Sequence, residues 1–596
     1  MAALFTTPKR NDKTSGAHFI EPDVRRRTLL AHGSWRRVTR HIVVGAVCAL
    51  AASSLLMPSV SLAAEWVDVG GVRHEAAAGP AGDAAGTWSW DGADDMKLNG
   101  YNGGAIEAKG KLNIAYEGKN TVKTEPDYTG AAIKAQDGTS QKAELNITSS
   151  NSTDELNVTA ETDAIKSTGD LSISGPGTVN TTSTNADGIE AKGDLSITGS
   201  GTVNATGGTE GIQSKGKTTI DFSGTVIAKG NESYGISAGS DLIIKGGGKV
   251  EASSIEDVAI YTDGNIEISG GSQVEASSQE DLAVDAEGSL TVTNASLNAS
   301  GVEYGVYGRK GITLDHATVT VRASTGGGWQ TIALITDEDD IVIKNGSIVD
   351  ALAEGGFSAA IASRNYNPGE SGGHIYISDS AVKAIARYIE TGGGGPDHYS
   401  GDQNDEIIPE SEGLNIGIFA QTSEGITPAT ISIIRSKVTA EGDTAAIFAL
   451  AMSEDGKAIG TIEIEGAPIQ RPAGGKVIDY RYEQEYSRSI IYEAGQTIGT
   501  GDATIDSPYD AAVAKSTVIV PPEEIKPEEK PGETKPEGSK SEGTKTTKTV
   551  AVAATGAKTT GKLAATGDAS SAFIVASALA GTAAIAAGAV VSRKRS

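Results

Sequence analysis

The sequence predicts an all-β parallel solenoid, a β-helix, on three observations. A unit of 22 to 24 residues recurs, with Ile165, Ile189, Ile212, Ile236, Ile260, Val284 and Val306 each following a small residue. Each unit then gives an alternating apolar pair (Leu171 and Ile173, Leu195 and Ile197, Leu242 and Ile244, Ile266 and Ile268, Leu290 and Val292) and a third short piece carrying Val179, Val203, Val226, Val250, Val274 or Leu297. Alternation at period two with β-branched residues is strand chemistry, and the GD, GN, GG and GS pairs between the pieces are turn chemistry.

Three strands of two to five residues cannot hold a sheet alone, so each unit must stack on the next and share one apolar interior. The interior columns would be the Ile189 type, the Leu195 and Ile197 type, and the Val203 type on successive walls. Gly188, Gly211, Gly235, Ala259, Ala283 and Gly305 would mark a tight bend where a β-carbon would crowd the adjacent coil. A propeller blade needs about 40 residues, more than this repeat supplies.

Composition agrees. The chain has 596 residues, 76 glycines, 5% aromatic residues and a formal net charge of -27. One ordinary core does not fit that length, whereas a solenoid grows in one dimension with few large side chains. The negative charge argues against nucleic acid or an anionic membrane as partner.

Taken in order, residues 1–64 read as a signal peptide with a long basic front: Arg36, Arg37 and Arg40 precede an apolar run with a small-residue exit near Ala63 and Ala64. Cys48 lies inside it, so the exported chain would hold no cysteine and no disulfide. Residues 65–100, with Trp66, Trp88 and Trp90, would cap the repeats of 101–470, in which Ile106 and Ile133 belong to looser rungs. Residues 471–520 would cap the other end. A Pro, Glu, Lys and Thr-rich stretch over 521–562 would be an extended tether without a core. Finally 563–596 holds an uncharged run from Ala569 to Val591, long enough to cross a bilayer, and then Arg593, Lys594 and Arg595.

Leu563, Ala564, Ala565, Thr566 and Gly567, followed by that apolar run and basic tail, resemble the Gram-positive cell-wall sorting signal. The family's pentapeptide has proline second, where this chain has Ala564. The resemblance implies cleavage by a sortase between Thr566 and Gly567 and joining of the threonine to peptidoglycan, which makes sortase and peptidoglycan partners. The expected location is outside the cell, covalently on the wall.

Over residues 100–460 the rung GI-x-A-x-GDLxIxG also resembles the carbohydrate-binding right-handed β-helix proteins of bacterial surfaces, which share the pectate-lyase-like architecture. This resemblance implies a polysaccharide ligand, sometimes with calcium, and carries no binding residue across, because the matching positions are interior and turn positions.

Candidate contacts come from the residues themselves. Tyr304, Tyr307 and Trp329 offer flat surfaces to sugar rings. Asp337, Glu338, Asp339 and Asp340 form an acidic turn that could give oxygen ligands to calcium, or be no more than a solvated turn. No other cofactor is called for. The expected function is non-catalytic binding of a polysaccharide or other polymer. A host or neighbour surface protein as ligand, and a structural coat, are the alternatives. A polysaccharide lyase or hydrolase is the catalytic alternative, with Arg309, Lys310, His316, Arg364, His374 and Arg387 as available bases. Sequons at Asn157, Asn180 and Asn204 are expected to follow from the repeat's turn residues.

Overall fold

The computed structural model describes residues 64–137, 143–324, 330–365, 372–389, 415–422, 428–452, 459–482, 486–492 and 514–522. Almost all regular structure among them is strand, the exception being one turn of 3-10 helix at Ala76–Ala78. The strands form three long sheets, predominantly parallel, that the chain visits in rotation, as a right-handed parallel β-helix requires.

One rung shows the logic. Ile189–Ala191 lies in the first sheet, Leu195–Gly199 in the second and Thr202–Gly207 in the third. Each pairs in register with the equivalent strand one unit away: Ile189 meets Ile165 and Ile212, Ile197 meets Ile173 and Ile220, and Val203 meets Val179 and Val226. Ile189, Leu195, Ile197 and Val203 are all buried at 2% exposure or less, so the three predicted columns do line one interior. Full burial of each such side chain stabilises the stack by roughly 1.5–3 kcal/mol. The looser rungs are regular too, since Ile106 and Ile133 pair in parallel.

Polar side chains fix the rung spacing. Asp170 Oδ1 accepts the Asp194 N–H at 2.9 Å, Asp194 Oδ1 accepts the Lys217 N–H at 2.8 Å, and Asp241 Oδ1 accepts the Asn265 N–H at 3.0 Å. The turn aspartates, two of them in GD pairs and Asp241 after Ser240, are therefore a ladder between rungs as well as turns. The sequons correct the sequence reading: Asn157, Asn180 and Asn204 stand inside strands of the third sheet, not in turns. Their amides bond one to the next at 2.9 and 2.7 Å, which gives the repetition its physical reason.

At each end two of the three sheets finish in antiparallel strands. At the N-terminal end Trp66–Val69 pairs antiparallel with Val72–Glu75 and with Ile106–Lys109. Trp88–Trp90 lies antiparallel to Asp95–Asn99, with both tryptophans buried. At the other end Tyr486–Tyr492 runs antiparallel to Ala445–Met452, and Ser516–Ile519 antiparallel to Lys437–Gly442.

Strands outgrow the expected two to five residues. Ser358–Asn365, Asn415–Thr422 and Ala445–Met452 have eight each, and the first two are almost wholly buried on both faces. Their sequences, SAAIASRN and NIGIFAQT, replace alternation by near-continuous apolar or small residues, the signature of a sheet covered on both sides.

Among the described residues no helix is long and apolar enough to cross a membrane. The predicted signal except its last residue, the buried Ala64, most of the tether, the apolar span and the sorting residues Leu563 to Gly567 lie outside the described residues.

Candidate functional site on the outer face of the first sheet

Two positions flank each interior residue of the first sheet and point outward, one two residues before it and one just after. Along the stack those columns change from charged through half-buried tyrosine to fully covered and apolar.

The charged stretch holds Asp163, Lys166, Asp187, Glu190 and Glu210. Asp163, Asp187 and Glu190 bring one carboxylate oxygen each within 4.8 Å of one another, the one such group of three among the described residues. The Lys166 ammonium bonds Asp163 at 2.7 Å and also Glu190, which Lys192 contacts as well. The protein thus supplies its own cations there. Asp187 is 7% exposed, and burial, reinforced by Glu210 and Asp163, pushes its pKa up to about 7, with Lys215 opposing. In the unfolded chain an aspartate titrates near 4. Between about pH 4 and 7 the folded state therefore holds a proton that the unfolded state has released, and stability falls as pH rises through that window. The melting temperature should be higher at pH 5 than at pH 8, and Asp187→Asn should flatten this part of the profile. A profile unchanged by the substitution would refute the assignment.

The aromatic stretch follows. Tyr234 and Tyr261 stack with centroids 4.9 Å apart and planes at 16°. Tyr304 and Tyr307 lie 6.1 Å apart at 41°. With Val258 and Leu282 these four rings form an apolar cluster separate from the interior core, and Tyr261, Tyr304 and Tyr307 remain half-buried. Carboxylates and an amide oxygen take three of the hydroxyls: Tyr261 donates to Asp263 at 2.5 Å, Tyr304 to Gln330 Oε1 at 2.8 Å, and Tyr307 to Asp337 Oδ2 at 3.2 Å. Burial beside Asp263, Asp285 and Glu287 raises the Tyr261 pKa, so the phenol stays a donor.

The structure thus joins two sets of residues that the sequence presents separately, because Tyr307 bonds into the acidic turn. Asp337 is also held by Arg364 at 3.1 Å, both side chains being at most 7% exposed. Glu338 takes Arg309 at 2.6 Å, and the same guanidinium reaches Glu287 at 2.8 Å. Asp339 Oδ1 accepts the Asp340 N–H at 2.9 Å, and Asp340 Oδ1 accepts the His374 N–H at 3.1 Å. Burial holds the Asp340 carboxyl above the usual aspartate range. The four acids face separate protein donors rather than one common point, so this turn is no ready calcium cage. No match to this chain exists among family models, curated proteins or solved structures.

The remaining candidate bases are dispersed. Glu287 first, and Glu338, raise the pKa of Arg309, the opposite of what proton abstraction needs. His316 is exposed in a turn at φ 53°, and Arg387 sits 3.9 Å from Glu354. His374 is buried against Tyr376 with a ring separation of 5.8 Å. Trp329 lies outside the described residues. The sequence reading passed over Tyr234 and Tyr261. Counting two back and one forward from Ile236 and Ile260 would have found them, as it finds Tyr304 and Tyr307 around Val306.

Further along, the same outer columns become Ile332, Ile335, Phe419, Phe448 and Ile490, all buried, with Phe419 and Phe448 stacked at 5.7 Å. The half-buried tyrosines therefore stand between a charged zone and a covered apolar one.

Proposed function

We propose that this chain is a cell-surface protein, joined to peptidoglycan by a sortase through Thr566, whose solenoid binds a polysaccharide without altering it. The observation that carries the binding reading is the band of Tyr234, Tyr261, Tyr304 and Tyr307 on one outer face, with carboxylates at its phenols. The half-buried rings of Tyr261, Tyr304 and Tyr307 give sugar faces an apolar rest, fixed acceptors orient hydroxyls, and repetition along the stack lets weak contacts add. The attachment reading is supported by the order of pentapeptide, apolar run and basic tail in the sequence.

Two experiments test the two halves. Thr566→Ala should shift the protein from the fraction released by muramidase to membrane and medium, and a mutant still covalent in the wall would refute sortase attachment. The full chain on a glycan array, with calcium and with chelator, should be retained on a polysaccharide without forming unsaturated or shortened sugars. New products would replace binding by catalysis, and loss of retention in chelator would add a bridging calcium ion.

A further inference from the structure

The tyrosine band rests between two acidic margins. Where the chain turns into the first sheet, Glu232, Glu256 and Glu280 are exposed. Their turns stack rung on rung through the Glu256 N–H to Asn231 O and the Gln279 N–H to Ser254 O, both at 3.2 Å. Where the chain leaves the sheet, Asp263 is exposed and Glu287 half-buried. Between residues 231 and 304 the sequence has thirteen acidic side chains against two lysines. Both lysines belong to other walls, Lys245 to the second sheet and Lys249 to the third. They are also committed there, Lys245 to Asp221 at 3.4 Å and Lys249 to Glu251 and Glu275 at 2.8 and 3.0 Å. Over the tyrosines the exposed Glu232, Glu256, Glu280 and Asp263 make the potential negative, between Lys215 in the exit turn of the preceding rung and Arg309, which is already bonded to Glu287.

From this we infer that the polymer bound on the band is cationic, a polysaccharide of amino sugars carrying free ammonium groups, an inference that rests on the glycan reading above. Such a polymer uses every feature present. Its pyranose faces lie on phenol rings, its ammonium groups are drawn to the ring faces and to the acidic margins, and its hydroxyls meet fixed acceptors. A polyuronate would bring like charge against the same margins. A lysine-rich peptide would satisfy the charge, but it freezes long side chains, whereas rigid sugar rings lose little freedom on stacking.

The test titrates the purified full chain, at mildly acidic pH, with equal-length oligomers of glucosamine, N-acetylglucosamine and galacturonate, and with a lysine peptide of the same length. Glucosamine oligomers should bind at least about tenfold tighter than their acetylated form, with the margin shrinking as salt screens it. The triple variant Glu232→Gln, Glu256→Gln, Glu280→Gln changes only exposed side chains. It should erase most of that margin while leaving the melting temperature and the affinity for the acetylated oligomer unchanged. Equal affinity for the two glucosamine forms, or a preference for galacturonate, overturns the charge inference and leaves glycan binding standing. Lysine peptide binding as tightly as glucosamine overturns the sugar specificity. Failure to bind any of the three sugars, together with a silent array, removes the glycan reading itself.

Discussion

Ile197→Asp should lower the melting temperature far more than Thr198→Asp one position on. Ile197 has no exposed surface and packs in register between Ile173 and Ile220, while Thr198 points outward and is half-exposed. An aspartate at the first site puts a carboxylate in an apolar column with no cation in reach, and the cost is about 3–5 kcal/mol. The damage spreads, because each rung is held only by its two neighbours, and a failed rung leaves two faces uncapped. Circular dichroism melts of the two variants decide the matter. Equal losses would mean that the Ile197 column is not the interior.

The second large effect concerns a glycine. Gly201→Ala should destabilise the stack by about 3 kcal/mol, at the upper end of what overpacking costs, whereas Ser200→Ala next to it should be almost silent. A β-carbon on Gly201 would stand 1.9 Å from the carbonyl oxygen of Gly177 and 2.7 Å from the carbonyl carbon of Pro176. Those are backbone atoms of the preceding rung and cannot swing aside. The close approach has a purpose: the Thr202 N–H bonds Gly177 O at 3.0 Å, and the Thr225 N–H bonds Gly201 O at 3.1 Å, so the turn between the second and third sheets is itself a ladder. Ser200 is exposed. Denaturant melts that show Gly201→Ala as stable as the parent would mean that this turn has room.

Much of this architecture is written in local pattern. The small residue before each first-column isoleucine is one case. A β-carbon on Gly188 would lie 2.7 Å from Gly211 O, a close approach between rungs, whereas Ala164, Ala259 and Ala283 carry one at the same position, so the bend demands a small residue and not glycine alone. The tryptophans near the N-terminal end are another, since Trp90 roofs the interior at 1% exposure and its indole N–H donates to Ala93 O at 3.0 Å. The candidate site was legible only in fragments. Tyr304 and Tyr307 could be named because they sit close together in sequence, and the acids from Asp337 to Asp340 because they are consecutive. Nothing in sequence spacing says that Tyr307 donates to Asp337 thirty residues on, or that Arg364 closes on the same carboxylate from the following rung.

The sequence by itself determined the period, the three walls and which side chains face inward, because alternation and turn residues act within a few positions of one another. The expectations of an export signal and a sorting segment rest on order and composition alone. Only the tertiary structure decided what the outer columns do. Stacking places residues about 24 positions apart side by side, so Asp170 can bond the next rung's backbone and Asn157 can start an amide ladder. In the same way Asp187 acquires acidic neighbours above and below, and four tyrosines become one band. Inward positions answer to a single requirement, apolar and of fitting size, that any rung can state alone. Outward positions take their meaning from the rungs on either side, and that meaning exists only once the chain has coiled.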